Sequence, residues 1–387
     1  MPSHLRAPAL AFLLTAAAAV ASAAPPLSGG DTTVFDTTRN AFGRSLANLQ
    51  PERWPLVRSG KALFLRTWDE PLLGPLFNAT SCAGCHFKDG RGRPPGQGSG
   101  PPILLRLSMP GGRPEPRYGG QLQDRAVAGL APEGKVDIVE TEERGRYPDG
   151  TPYRLRRPRY RLSELRSGPL HPQTRLSARM PPALLGLGLL EAVPGRQGRF
   201  GWKASAPSLE HQVAQALRED LGVEIDGDGL RRLTGYTRLL AVPARRGWDL
   251  PDVRRGEVLF GRIGCASCHL PELRTAADAA VPELAGQTIH PYTDLLLHDL
   301  GADLADLRLD GAPDRSLEGR SWRTAPLWGL GLLKTVDGEV RLLHDGRARS
   351  AEEAVLWHGG EARAARRAFK ALPVRDRQAL LAFLDSL

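Results

Sequence analysis

Cys82-Ala83-Gly84-Cys85-His86 and Cys265-Ala266-Ser267-Cys268-His269 decide the reading of this 387-residue chain. Together they use all four of its cysteines. A Cys-x-x-Cys-His spacing sets two thiols where each can form a thioether to a vinyl group of one haem. The histidine that follows can then ligate the iron. A Cys-x-x-Cys pair has rival uses: a thioredoxin-like redox couple, half of a zinc site, or a structural disulfide. One such motif could arise by chance. The same histidine after both pairs, with no cysteine left over, favours two covalently attached c-type haems.

The ends and the charge agree with that reading. Residues 1–24 run from Arg6 through the apolar stretch Ala9 to Val20 to Ala21-Ser22-Ala23. A charged start, a short apolar core and a small-x-small site predict a cleaved secretory signal peptide. The apolar run is too short to span a bilayer, and no other stretch is long and apolar enough. Covalent haem attachment takes place outside the cytoplasm, so the predicted location is the periplasm. The chain is basic, with a formal net charge of +9. Its arginines are scattered, and export argues against nucleic acid. A basic surface instead suits an acidic electron-donor protein, a small cytochrome or cupredoxin.

An internal duplication organises the rest. Gly60-Lys61-Ala62-Leu63-Phe64 precedes the first motif and Gly256-Glu257-Val258-Leu259-Phe260 the second. Downstream, Leu184-Leu185-Gly186-Leu187-Gly188-Leu189-Leu190 recurs as Leu327-Trp328-Gly329-Leu330-Gly331-Leu332-Leu333. The glycine-leucine alternation reads as a buried strand or as a loop over a haem edge. Repetition in the same order predicts two tandem units. The expected fold is therefore mainly α, two tandem cytochrome c-like haem domains over residues 25–245 and 246–387. An insertion at about 90–178, dense in Gly, Pro and Arg, enlarges the first with short strands and loops packed on its haem. The linker is expected near residues 242–247. Apolar spacing at Ala379, Leu380, Ala382, Phe383 and Leu387 predicts a closing helix over Arg375 to Leu387.

Further segments carry a specific resemblance. They are Gly74-Pro75-Leu76-Phe77-Asn78-Ala79-Thr80-Ser81, the Gly-Leu repeats, Leu297-His298-Asp299, and His344-Asp345-Gly346-Arg347 through Trp357-His358-Gly359-Gly360. In these the chain resembles the di-haem oxidoreductase (putative peroxidase) family, within the bacterial di-haem cytochrome c peroxidase superfamily. That superfamily includes an enzyme that matures a tryptophan-derived cofactor in a partner protein.

The resemblance implies roles, carried over by register. His86 and His269 are the proximal ligands. After His344-Asp345-Gly346, Ser350 is a good helix N-cap, Glu353 completes a capping box, and Gly359-Gly360 supplies a stop. His358 falls where relatives place a methionine or tyrosine ligand, so His269 and His358 are the expected axial pair of the second haem. In the first unit Phe200-Gly201-Trp202 aligns with Leu343-His344, which makes Trp202 the bridge between haems. Gln212 and Asp220 fall on the distal side of the first haem, with Glu219 as the neighbouring alternative to Asp220. A distal carboxylate can take a proton from the peroxide oxygen nearer the iron and return it to the departing one. Met109, Met180, His171 and the tyrosines could close the first iron, and Met180 reads better as a packing residue. His298-Asp299 and His344-Asp345 are expected to hydrogen-bond within the second unit or to face its haem propionates. Calcium between the haems is a further possible cofactor by resemblance, although the asparagine of the relatives' loops is missing here.

The resulting expectation is a periplasmic di-haem oxidoreductase that reduces hydrogen peroxide, or handles oxygen, at the first haem with electrons relayed through the second. Two alternatives stand beside it: an oxidase that modifies a side chain of a protein substrate, and a pure electron-transfer cytochrome.

Overall fold

The structure, a computed structural model, describes residues 27–92, 103–195 and 198–387. The signal-peptide reading and part of the Gly/Pro-rich stretch after Asp89 lie outside these residues. Six helices carry most of the helical packing: α1 (Trp54–Leu65), α2 (Leu209–Ala216), α3 (Gly227–Arg238), α4 (Pro251–Arg262), α5 (Ala351–Trp357) and α6 (Val374–Ser386).

Each motif follows a helix that packs on the helix closing its own half, α1 on α3 and α4 on α6. Glycine permits both contacts. A Cβ on Gly60 would overlap the carbonyl of Arg232, and one on Gly256 that of Ala379. The two glycines hold the same place in the duplicated pentapeptides, so the repeat encodes a backbone-close helix crossing. The Gly-Leu repeats are neither strand nor open loop. Gly186 and Gly329 take the left-handed conformation (φ 68° and 74°), and short helical turns follow. Gly188 and Gly331 then abut the carbonyls of Arg238 and Asp385, at the ends of α3 and α6. The repeats also touch each other. A Cβ on Gly186 would strike the Trp328 ring, and one on Gly329 would sit 2.8 Å from Leu185 Cδ1. Since Leu185 and Trp328 are equivalent positions, the halves meet by a reciprocal, approximately two-fold contact.

The expectation of a mainly α protein is overturned. Helix accounts for 35% of the structure and strand for 18%, in several small sheets. Seven strands matter here: β1 (Leu104–Ser108), β2 (Lys135–Arg146), β3 (Pro152–Ser163), β4 (Arg175–Arg179), β5 (Leu297–Asp299), β6 (Leu307–Arg308) and β7 (Ser321–Arg323). The antiparallel order β6-β4-β1 joins a strand of the second half to the insertion, with Leu176 paired to both Leu107 and Leu307. Strict alternation of burial along β1, with Leu105 and Leu107 inside, explains why this segment is extended. Strands in the second half were not anticipated. Its residues 270–323 carry no helical period, and they pair wherever a neighbouring backbone needs partners.

The insertion was expected to pack on the first haem, but its long hairpin, β2 paired with β3, straps the second half. Arg156 donates from Nη2 to the Gly346 carbonyl (2.7 Å) and from Nε to that of Arg347 (2.9 Å). Tyr160 reaches Asp345 (3.1 Å), Tyr147 reaches Glu352 (2.6 Å), and Asp149 pairs with Arg377 (2.6 Å). Residues 242–247 are largely buried against Val34 and the C-terminal helix. The closing helix is present as α6. Among the described residues no helix is long and apolar enough to cross a membrane.

The helix crossings can be tested by adding one methyl group. Gly256→Ala should cost about 1–3 kcal/mol in chemical denaturation, because α4 and α6 must part. Gly261→Ala on the same helix meets nothing within 4 Å, and should be neutral or stabilising by about 0.5–1 kcal/mol.

Candidate functional site

Both motifs open into one cavity of about 560 Å³. Cys82, Cys85 and His86 line it together with Cys265, Cys268, His269 and His358. No disulfide joins the cysteines. Burial pushes Cys82 up to about 12 and Cys265 up to about 11. A thioredoxin-like pair needs a depressed thiol, so the redox-couple reading loses its support. Zinc fares no better. Among the described residues the one convergent group of three potential ligands is Cys268, Asp294 and His298. There Asp294 (2.7 Å) and Glu361 (2.8 Å) already engage both ring nitrogens of His298.

The histidines fit haem. His86 Nδ1 is bonded to the carbonyl of Pro182 (2.9 Å), His269 Nδ1 to that of Tyr292 (2.8 Å), and His358 Nδ1 to that of Ala354 (2.7 Å). A backbone carbonyl on Nδ1 fixes the tautomer and leaves Nε2 as the metal-binding nitrogen. Burial lowers all three, His86 and His269 to about 4, so each imidazole is neutral and can ligate. His358 is among the groups that depress His269, as expected of two rings lining the same end of one cavity. Large, mainly apolar and bearing thiols and imidazoles at both motifs, the cavity suits a haem at each. His358 sits at the C-cap of α5 as the sequence implied, and Ser350 caps that helix through the Glu353 amide (3.1 Å). The capping box is incomplete, because the Glu353 carboxylate turns to the Arg349 and Arg156 amides instead.

Helix α2 is the counterpart of α5 in the first half. Ser208 caps it through the His211 amide (3.1 Å), and the preceding turns match, with bridges Phe200↔Ala206 and Leu342↔Ala348. Counting from each capping serine, Gln212 corresponds to Ala354 and Ala216 to His358. Trp202 corresponds to His344, and Gly201 (φ 74°) to Leu343 (φ 69°). The cavity lining at Ala216 is therefore a methyl group where the second half presents an imidazole.

Beyond Ala216 the chain winds into a π-turn, Leu217–Leu221, that carries Glu219 and Asp220. Such turns commonly re-aim functional side chains. Asp220 lines the cavity, whereas Glu219 pairs with Arg106 and accepts from Gln215 (3.0 Å). Gln121 holds Asp220 Oδ1 at 3.0 Å, and the amides of Asn78 and Ala79 hold its carbonyl. Burial raises Asp220 to about 6, with Arg106 and the Gln121 bond opposing. Gln212 lines the cavity with its Oε1 unpartnered. Trp202 lies in the wall, its Nε1 donating to the Met180 carbonyl (2.8 Å). Met180 is fully buried, lines the cavity and sets its sulfur against Gly346, while Met109 and His171 lie away from the cavity. Sequence reasoning passed over Arg106, Gln121, Gln215 and the meaning of Ala216. The Ala216 signal was present in the duplication, read from serine to serine.

Residues 231–387 match the family described as di-haem oxidoreductase, putative peroxidase. The recognition drawn from the sequence thus names the same family, over a span that includes the second motif and ends short of the first. Haem is the cofactor that this family's name carries. No curated protein matches. Nine solved chains match. Among them is hydrazine synthase of Kuenenia stuttgartiensis pressurized with 20 bar xenon, at 15% identity over 98% of this chain and 100% of that one, with a TM-score of 0.45.

Intact mass of the mature protein should show two haems per chain, and one after Cys82→Ala with Cys85→Ala. His358→Ala should keep both masses but shift the magnetic circular dichroism of one ferric haem away from its bis-imidazole signature. An unchanged spectrum in the folded variant excludes His358 as a ligand.

Proposed function

We propose that this protein is an exported di-haem oxidoreductase of peroxidase type, with the first site reactive and the second serving electron transfer. The observation that carries the reading is the pair Ala216 and His358. One helical position of a duplicated plan holds an imidazole in one half and a methyl in the other. The carboxyl of Asp220 stands in the same cavity, one turn beyond the methyl.

Haem at each motif would supply one-electron redox chemistry and, where the iron keeps an open position, a place for peroxide. The chain's own residues do the rest. Pro182 and Tyr292 orient His86 and His269 through their Nδ1 atoms, and His358 closes the second site. Asp220, pinned through Oδ1 by Gln121, accepts a proton from bound hydrogen peroxide and returns it to the departing oxygen. Burial keeps this carboxyl near the pH range where it can do both. Gln212 and Arg106 supply hydrogen-bond donors beside it. Trp202, in the wall between the halves, is the candidate route for electrons. The electron source is a small acidic donor protein suited to the chain's basic surface. A pure electron carrier has no use for a buried carboxyl at a site left open.

Asp220→Asn keeps the shape and removes the proton acceptor, so peroxide turnover should fall by about 10²–10⁴-fold. Glu219→Gln should have a much smaller effect, since Glu219 faces Arg106. In the wild type the acceptor is the ionised carboxylate, so the rate should decline as pH falls through about 6. Stopped-flow assays with a reduced dye read both effects. Ala216→His places an imidazole where the second half has His358. It should abolish peroxide binding and convert the first ferric site's visible spectrum to a six-coordinate form. Undiminished turnover in Ala216→His would contradict the assignment of the open site.

A further inference from the structure

The wall where the two halves meet carries two guanidiniums that, among the described residues, form no ion pair; Asp306 and Glu219 act on Arg179 only from beyond that range. Arg323, only 8% exposed, donates from Nε to the Gly201 carbonyl (3.0 Å) and from Nη1 to that of Thr324 (3.2 Å). Among the described residues no carboxylate comes within ion-pair range of it, and burial alone pushes it down to about 10. Arg179 bonds through Nε to Ser177 Oγ (3.2 Å) and likewise makes no ion pair. Both side chains line the cavity.

Acids are not scarce nearby. Lys203 has Asp306 (3.1 Å) and Arg106 has Glu219. Burying a guanidinium without a counterion is strongly unfavourable, so Arg323, with the half-buried Arg179 lining the same cavity, implies an anion that the polypeptide does not supply. Planar, forked donors match carboxylates best.

We propose that Arg179 and Arg323 form a seat for the carboxylate side chains of the haems, on the boundary between the two halves. The proposal rests on the di-haem reading above. Each haem carries two propionates, and seating them here also fixes the level of the redox centres. A cation beside a haem carboxylate opposes the ferric state, so removing it lowers the midpoint potential.

The test uses the mature holoprotein. Intact mass first establishes two haems; a wild type without them defeats the di-haem reading itself, independently of the seat. Arg323→Gln should lower the midpoint potential of at least one haem and shift the propionate bending band in its resonance Raman spectrum. Arg323→Lys should keep the potential near wild type. Should Arg323→Gln fail to mature, Arg179→Gln removes the other guanidinium of the seat, and the same band reports it. An unchanged band and potential in a fully loaded variant overturns the proposal. So does a wild-type potential that follows added acetate or chloride, because the seat would then hold a free anion.

Discussion

Two backbone hydrogen bonds cross the boundary between the halves. The Met180 amide donates to the carbonyl of His344 (2.6 Å), and the Arg323 amide to that of Trp202 (2.9 Å). Met180 and Arg323 precede their Gly-Leu repeats by equal intervals, six residues before Gly186 and six before Gly329, and Trp202 and His344 are equivalent, so the exchange is reciprocal. With the glycine contacts it locks the halves face to face. Everything at the site follows from that closeness. Both motifs open into one cavity, and Trp202 and His344 come to rest in its wall. A near-symmetric frame of this kind makes any departure from symmetry informative. His358 against Ala216, and Arg323 against Met180, are such departures.

Much of this was legible in the sequence because the residues concerned are fixed by covalent or local rules. Cys-x-x-Cys-His spacing needs no tertiary context, and Ser350 and Ser208 mark helix starts that set the register for His358, Gln212 and Asp220. The segments repeated at Gly60 and Gly256 marked the duplication, but the backbone contacts those glycines permit appear only in the fold. Glu219 against Asp220 could not be decided from sequence, since the π-turn that separates their directions comes from packing, not local propensity.

What sequence could not show depends on partners far along the chain. Leu307–Arg308 becomes a strand only because β4 offers an edge, so the expectation of two tandem cytochrome c-like units overstated the helical share of the fold. The β2–β3 hairpin reads as an appendage of the first half, yet its tyrosines and Arg156 find the segment 345–352 of the second. Unpaired guanidiniums are equally invisible in a chain rich in arginine. Arg179 and Arg323 stand out only once their neighbours have been paired off.

The central claim is that the two sites differ, one open above His86 and one closed by His269 and His358. An electron paramagnetic resonance spectrum of the fully oxidised wild type tests it most directly. The account predicts one high-spin and one low-spin ferric signal of equal intensity. Two low-spin signals would show that the first site is closed as well, and would contradict it.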